Sequence, residues 1–239
     1  MAWNLYDTWC KHELADRATP FDANLLLSLA GYAICRLGDL ALGVALLIGF
    51  LCMLRVCEIL LLCKADVTVV ASTIVLSLGS TKGGKRRGDV EQVLVTDGGI
   101  MALLKLRLQD LAPGDRLPPL TYHQFLRKLM VLLAFFGLSG EGYRLYSLRR
   151  GGATHDFRSH GVISKTSERG RWSYVKTGSL YVADATTLIA ALQRSEASAA
   201  KVFFWKNISD KLLCWCLYGS TACDRRMARE VREVLRGGS

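Results

Sequence analysis

The first strong apolar pattern is Phe21–Leu37, whose hydrophobic positions recur at helical spacing. Gly38-Asp39 then supplies a break and an N-cap, and Leu40–Leu54 runs apolar without interruption before resuming at Ile59–Cys63. This pattern predicts one long helix from Asp39 to about Cys63. Val67–Leu78, rich in Val, Ile and Thr, predicts a strand, and Val90–Val95 a second. The glycine-rich basic stretch Gly79–Gly88 joins them into a β-hairpin with a Lys/Arg-loaded tip. Further on, Gly99–Leu111 reads as a helix and Pro113–Pro119 as a loop, with Thr121 and Gln124 forming a capping box ahead of the helix Phe125–Phe136. Ser147–His160 reads as a helix with Ser147 as its cap, despite Gly151-Gly152. A shorter helix is expected before Gly170, and another should contain or follow Tyr181 and run through Leu192. Beyond Ser195 lie an apolar, aromatic stretch (Phe203–Leu217) and a basic amphipathic one (Asp224–Arg236). The fold class is therefore α+β, mainly helical, with one small antiparallel sheet.

Composition narrows the partners. Of 239 residues, 51% are hydrophobic and 22% charged, which suffices for a folded core. Lys and Arg number 31 against 21 Asp and Glu, and the resulting net charge of +10 suits a polyanion such as nucleic acid or an anionic membrane surface. A membrane span needs about 20 apolar residues with few charges. Here Arg55 and Glu58 interrupt the run, so a buried core helix carrying two functional charges is expected instead. Met1–Arg17 is polar and mixed in charge, unlike a secretory signal. Most of the eight cysteines lie in apolar runs (Cys35, Cys52, Cys57, Cys63, Cys214, Cys216) and read as buried free thiols of a reducing compartment. There is no C-x-x-C, and His155 and His160 fall on different helix faces, so neither a metal nor a cofactor is expected.

Three groups of residues carry candidate chemistry. Arg55 and Glu58, three apart at the end of the long apolar helix, would share one face. Elsewhere such a pair is ordinarily a solvated ion pair. Among apolar neighbours it would be largely desolvated, and charges in such places usually serve a site. The hairpin tip Gly79–Arg86 nearly spells a phosphate-binding loop, G-x-x-x-x-G-K-[ST], but Arg86 replaces the magnesium-binding hydroxyl and a strand follows where a helix is required. By itself this tip is a basic turn. The third group is Tyr146-Ser147-Leu148-Arg149-Arg150-Gly151-Gly152-Ala153-Thr154, followed by Gly170-Arg171-Trp172 and by Thr177-Gly178-Ser179-Leu180-Tyr181. Singly, Tyr181 and Trp172 would be core aromatics.

Jointly, these residues resemble the tyrosine recombinases of the phage-integrase family. That family carries an Arg with Glu three residues on, a β-hairpin Lys, an H-x-x-R box, a His or Trp just after a Gly, and a Tyr nine residues later. Here the order is Arg55/Glu58, Lys82, Tyr146-x-x-Arg149, Gly170-Arg171-Trp172 and Tyr181, with 23 positions from Arg149 to Trp172 and nine from Trp172 to Tyr181. The resemblance covers about Pro20 to Leu192. It departs from the family at Tyr146, which stands where His is usual and holds its proton far more tightly near neutral pH. It departs also at the N-terminus, where twenty residues are too few for the helical DNA-clamping domain that usually precedes the catalytic one; an excised catalytic domain or a minimal family member is expected.

The resemblance implies an integrase-type catalytic domain at residues 21–195, a lead-in at 1–20, and a C-terminal helical extension at 196–239 for subunit contacts. It implies metal-free cleavage of DNA by Tyr181 through a 3′-phosphotyrosyl intermediate. Arg55, Arg149 and Trp172 would stabilise the transition state, Lys82 would act as general acid, Tyr146 would contact the phosphate or a neighbouring group, and Glu58 would orient Arg55. Lys85, Arg86, Arg87 and Arg150 would bind DNA. The partner implied is double-stranded DNA, engaged by a homotetramer, with no membrane involved and an intracellular, DNA-associated location in nucleus or nucleoid. Type IB topoisomerase-like relaxation, or a catalytically weakened DNA-binding relic, would use the same residues.

Overall fold

The computed structural model describes residues 18–79 and 90–218. Lys82, Lys85, Arg86 and Arg87, most of the N-terminal lead-in and the candidate helix at 224–236 lie outside the described residues.

Helix α1 (Ala23–Gly31) starts at Asp22, whose carboxylate accepts from the Leu25 N–H at 3.0 Å, and continues into a π-turn, Tyr32–Arg36. Gly38 turns the chain at φ +65°, and Asp39 then caps α2 (Leu40–Leu51) through the Leu42 N–H at 2.9 Å, as the Gly-Asp pair predicts. Every residue of α2 from Leu42 to Phe50 is buried, so the most apolar run in the chain is the centre of the core. No helix among the described residues is long and apolar enough to cross a membrane.

The expected long helix does not continue to Cys63. It stops at Leu51, bends through Cys52–Leu54 with Met53 at φ +48°, and resumes as α3 (Val56–Leu61). The bend follows from a close approach across the core. Gly152 lies so near that a Cβ there would sit 2.0 Å from the Phe50 carbonyl oxygen, and one at Gly151 would sit 2.3 Å from the Phe21 oxygen. These glycines occupy the middle of α6 (Tyr146–His160), where each costs helix propensity of about 1 kcal/mol. In return the backbones of α2 and α6 come together. Gly152→Ala should therefore cost about 3 kcal/mol of stability, since the neighbour is backbone and has nowhere to yield. Chemical denaturation checks this, and a loss below about 1 kcal/mol would show that the approach is slack.

A 3₁₀ turn (Lys64–Asp66) leads into the sheet. The stretch expected as one strand is two: β1 (Val67–Val70) and β2 (Thr73–Leu78), joined by a tight turn at Ala71-Ser72 with Ala71 at φ +42°. β3 (Glu91–Val95) completes an antiparallel sheet in the order β1-β2-β3, with Leu78 opposite Glu91 and Ile74 opposite Val95. Ile74, Leu76 and Leu78 alternate into the core.

Helix α4 (Gly98–Gln109) is capped by Asp97. Helix α5 (Tyr122–Phe135) has the reciprocal Thr121–Gln124 capping box that its sequence predicts. Helix α6 begins one residue before Ser147, whose hydroxyl accepts from the Arg144 N–H rather than capping the helix, and ends at Gly161 in the left-handed region. It is followed by α7 (Ile163–Arg169), α8 (Val175–Ser179) and α9 (Asp184–Leu192); Tyr181 lies in the link between the last two. Helix α10 (Glu196–Tyr218) packs on α1 and α4. Its Val202, Trp205, Ile208 and Leu212 are buried in the same core as the rest, each contributing about 1.5–3 kcal/mol. Among the described cysteines, Cys35 and Cys52 are buried, but Cys57 faces outward, contrary to the reading from its apolar neighbours.

Candidate active site

The site forms where the α2–α3 bend, α6 and the segment after α7 meet. Arg149, only 1% exposed, projects from α6 into this junction. It donates from Nη1 to the Met53 carbonyl in the bend and from Nη2 to the Gly170 carbonyl at 2.6 Å. Its Nε is buried without a hydrogen-bond partner among the described residues. Burial, and then the like charges of Arg171 and Arg55, push its pKa down to about 10. It therefore remains a cation at neutral pH, held by carbonyl dipoles.

The guanidinium carbon of Arg149 lies 4.9 Å from the centre of the Trp172 ring and 5.4 Å from that of Tyr181. Tyr181 packs on Trp172 at a centroid separation of 4.5 Å and on Tyr146, the first residue of α6, at 5.6 Å. Burial raises the Tyr181 pKa, but a hydrogen bond with Tyr146, the Arg149 charge, the Trp172 N–H and the Arg149 donors outweigh it. The result is a phenol more acidic than usual. Tyr146 moves the other way, raised by burial and by its partnership with Tyr181. The indole N–H of Trp172 is buried and has no well-formed hydrogen bond among the described residues.

A test of this arrangement is Tyr146→Phe. Tyr181 loses the hydrogen bond that stabilises its anion, so its pKa rises and the ascending limb of any phenolate-dependent pH–rate profile moves to higher pH. An unmoved profile would show that Tyr146 does not tune the phenol.

Arg55 and Glu58 are not on one turn of a continuous helix. Arg55 is the extended N-cap of α3 and Glu58 sits three residues in, reaching back to the Arg55 N–H at 2.7 Å and to Nη1 at 2.5 Å. A Glu three residues after a helix start is a capping signature legible in the sequence. Two further charges join them. Arg171 donates to Glu58 Oε2 at 2.6 Å, and its Nε lies 3.2 Å from Glu91 Oε2. In the motif Gly170-Arg171-Trp172, Arg171 carries no role of its own, and Glu91 belongs to no motif. Yet Glu91 shares a strand face with Val93 and Val95, and a carboxylate on a core-facing position is itself a signal. Three guanidiniums, those of Arg55, Arg149 and Arg171, thus face two carboxylates, leaving a local excess of positive charge.

Arg150 requires correction. Expected on DNA, it is 5% exposed, with Nη1 donating to the Ala18 carbonyl at 2.5 Å. One residue along a helix is a turn of about 100°, which sends Arg150 to the α1 side while Arg149 enters the site. Lys82, Lys85, Arg86 and Arg87 lie outside the described residues.

No protein-family model matches this chain, and no curated protein matches it in sequence. Among solved structures, the fold is similar to that of the site-specific recombinase XerH bound to difH substrate in a pre-cleavage complex. There the TM-score is 0.55 at 17% identity, over 68% of this chain and 49% of that one. A post-cleavage complex of XerH with palindromic difH gives a TM-score of 0.53 at 17% identity, over 71% of this chain and 51% of that one. The chain thus spans about half the length of the recombinase chains it matches. The mainly helical domain with its three-stranded antiparallel sheet thus resembles in fold the matched half of the XerH chain.

Proposed function

We propose that this chain cleaves and rejoins DNA strands without a metal, using Tyr181 as nucleophile, in site-specific recombination. The observation that carries this reading is a single cluster: an acidified phenol packed on Trp172, beside the buried cation Arg149. In the reaction, Tyr181 Oη gives up its proton to solvent and bonds to the scissile phosphorus as the P–O5′ bond breaks, and the departing 5′-oxygen gains a proton from the general acid. The trigonal-bipyramidal transition state concentrates negative charge on the non-bridging oxygens. Fixed guanidiniums and an indole N–H aimed at those oxygens stabilise it without reorganising. Arg149 and Arg55 take that role in this proposal, with the indole N–H of Trp172 as third donor.

Tyr146 supports the phenolate, Glu58 orients Arg55, and Lys82 is assigned the proton for the leaving 5′-oxygen. Reversal by a 5′-hydroxyl of another duplex completes exchange and needs no nucleotide cofactor, because the phosphotyrosyl ester retains the bond energy. XerH is seen with its difH substrate before and after cleavage. We extend that to double-stranded DNA as the partner here, with Lys85, Arg86 and Arg87 along the backbone and a homotetramer as the working assembly.

The test is covalent trapping. The protein is incubated with a pool of nicked suicide duplexes of randomised core sequence, digested with nuclease and trypsin, and the adduct mapped by mass spectrometry. The tryptic peptide 177–194 contains Tyr181 as its one tyrosine, whereas Tyr174 falls in peptide 172–176. A nucleotide on the first peptide is expected. No adduct on any duplex would overturn the reading.

A further inference from the structure

Arg171 is kept at a conformational cost. Its φ of +59° lies in the left-handed region, where a residue with a Cβ is disfavoured by about 1 kcal/mol or more. The side chain nonetheless reaches inward and is 7% exposed. It meets three elements at once: Glu58 Oε2 of α3 at 2.6 Å, Glu91 Oε2 of β3 at 3.2 Å, and the Cys52 carbonyl of the α2–α3 bend at 3.3 Å.

The consequence falls on Glu58. One carboxylate oxygen holds Arg55 Nη1 at 2.5 Å; the other accepts from both Arg171 and the Arg55 backbone N–H. With both oxygens engaged, the carboxylate cannot rotate, and the Arg55 head that it grips is aimed. Arg55 needs this support because its side chain is one-third exposed and has water as an alternative partner. Glu91 supplies a second anion on the far side of Arg171, so Glu58 is not neutralised twice over at the expense of its hold on Arg55. A strained backbone held by several contacts is a recurrent mark of functional positioning.

We propose that Arg171 is a positioning residue for strand cleavage, one that locks Glu58 and through it aims Arg55 at the scissile phosphate while tying the bend to β3. This rests on the strand-cleavage reading above. Misplacing a catalytic group by an ångström costs on the order of 10²-fold, and Arg171→Met is expected to slow cleavage of ordinary duplex by about that factor.

Two features separate positioning from general support of the fold. A methylphosphonate at the scissile position removes the charge that Arg55 would neutralise. The ratio of neutral-substrate to ordinary-substrate rates should therefore rise in Arg171→Met towards that of Arg55→Ala. Because the ratio is taken on one preparation, it is independent of how much of the variant is folded. Second, the double variant should cleave within about threefold of Arg55→Ala alone, since residues acting through one another are not additive. Arg171→Lys, which keeps the charge but not the fork, should fall between. A full-rate Arg171→Met, an unchanged substrate ratio or additive losses would overturn the role alone, provided the wild-type protein cleaves. A wild-type protein that cleaves neither substrate would overturn the strand-cleavage reading and this role with it.

Discussion

Tyr181→Phe should abolish the covalent DNA adduct, below about 10⁻⁴ of the wild-type yield, while leaving DNA affinity within about twofold and the melting temperature nearly unchanged. The substitution removes one oxygen and keeps the ring, so the packing on Trp172 at 4.5 Å survives. What is lost in stability is the net value of a hydrogen bond, about 1 kcal/mol. What is lost in chemistry is the nucleophile, for which water cannot substitute in forming a protein–DNA bond. Single-turnover trapping on nicked duplexes, with binding measured in parallel, checks both halves. If the Phe variant still forms adduct, Tyr174 is the next candidate, being 75% exposed. Tyr143 is not, because it is buried and stacked on Phe21 at 4.8 Å.

Arg149→Ala should lower cleavage by at least about 10³-fold and destabilise the protein by about 3 kcal/mol. The kinetic loss follows from deleting a preorganised donor to a developing oxyanion, where about 10²–10³ is usual and a fully buried cation belongs at or beyond the upper end. The stability loss follows from the Met53 and Gly170 carbonyls, which lose their donor, at about 1–3 kcal/mol per buried orphan. Arg149→Lys separates charge from geometry. It retains a cation but cannot serve two carbonyls and a phosphate at once, and it should remain slower than wild type by about 10². Rates within tenfold of wild type for the Ala variant would sink the assignment.

The lowered pKa of Arg149 fits this account. The folded pKa of about 10 lies below the ordinary 12.5, so burying the cation costs stability. The sign is that of a base depressed by folding: both states are protonated below about pH 10, the penalty is constant through the neutral range, and it is relieved only as pH climbs past that value. A cation retained against such a penalty is an expected mark of a site kept for function.

Much of this architecture is local and was legible in the sequence. The caps Asp39 and Thr121–Gln124 stand as their spacing predicts, because a cap is an interaction within four residues. The apolar run from Leu40 forms the centre of the core, every residue from Leu42 to Phe50 being buried. The family resemblance carried by Arg149, Trp172 and Tyr181 implies one cluster, and the three side chains do meet.

Tertiary structure alone decided the rest. The α2–α3 bend at Cys52–Leu54 has no glycine or proline to announce it; it exists because Gly152 brings α6 against Phe50 and Arg149 takes the Met53 carbonyl. The turn at Ala71-Ser72 likewise splits a stretch rich in Val, Ile and Thr, since β2 must double back to place Ile74, Leu76 and Leu78 on the core. Arg149 and Arg150 are chemically identical neighbours, and only the packing of α6 sends one to the site and the other to Ala18. Arg171 became visible last, because its partners lie 119, 113 and 80 positions away in Cys52, Glu58 and Glu91. Short-range propensity carries no information about contacts at that range, which are set by how the apolar faces of the elements close on one another.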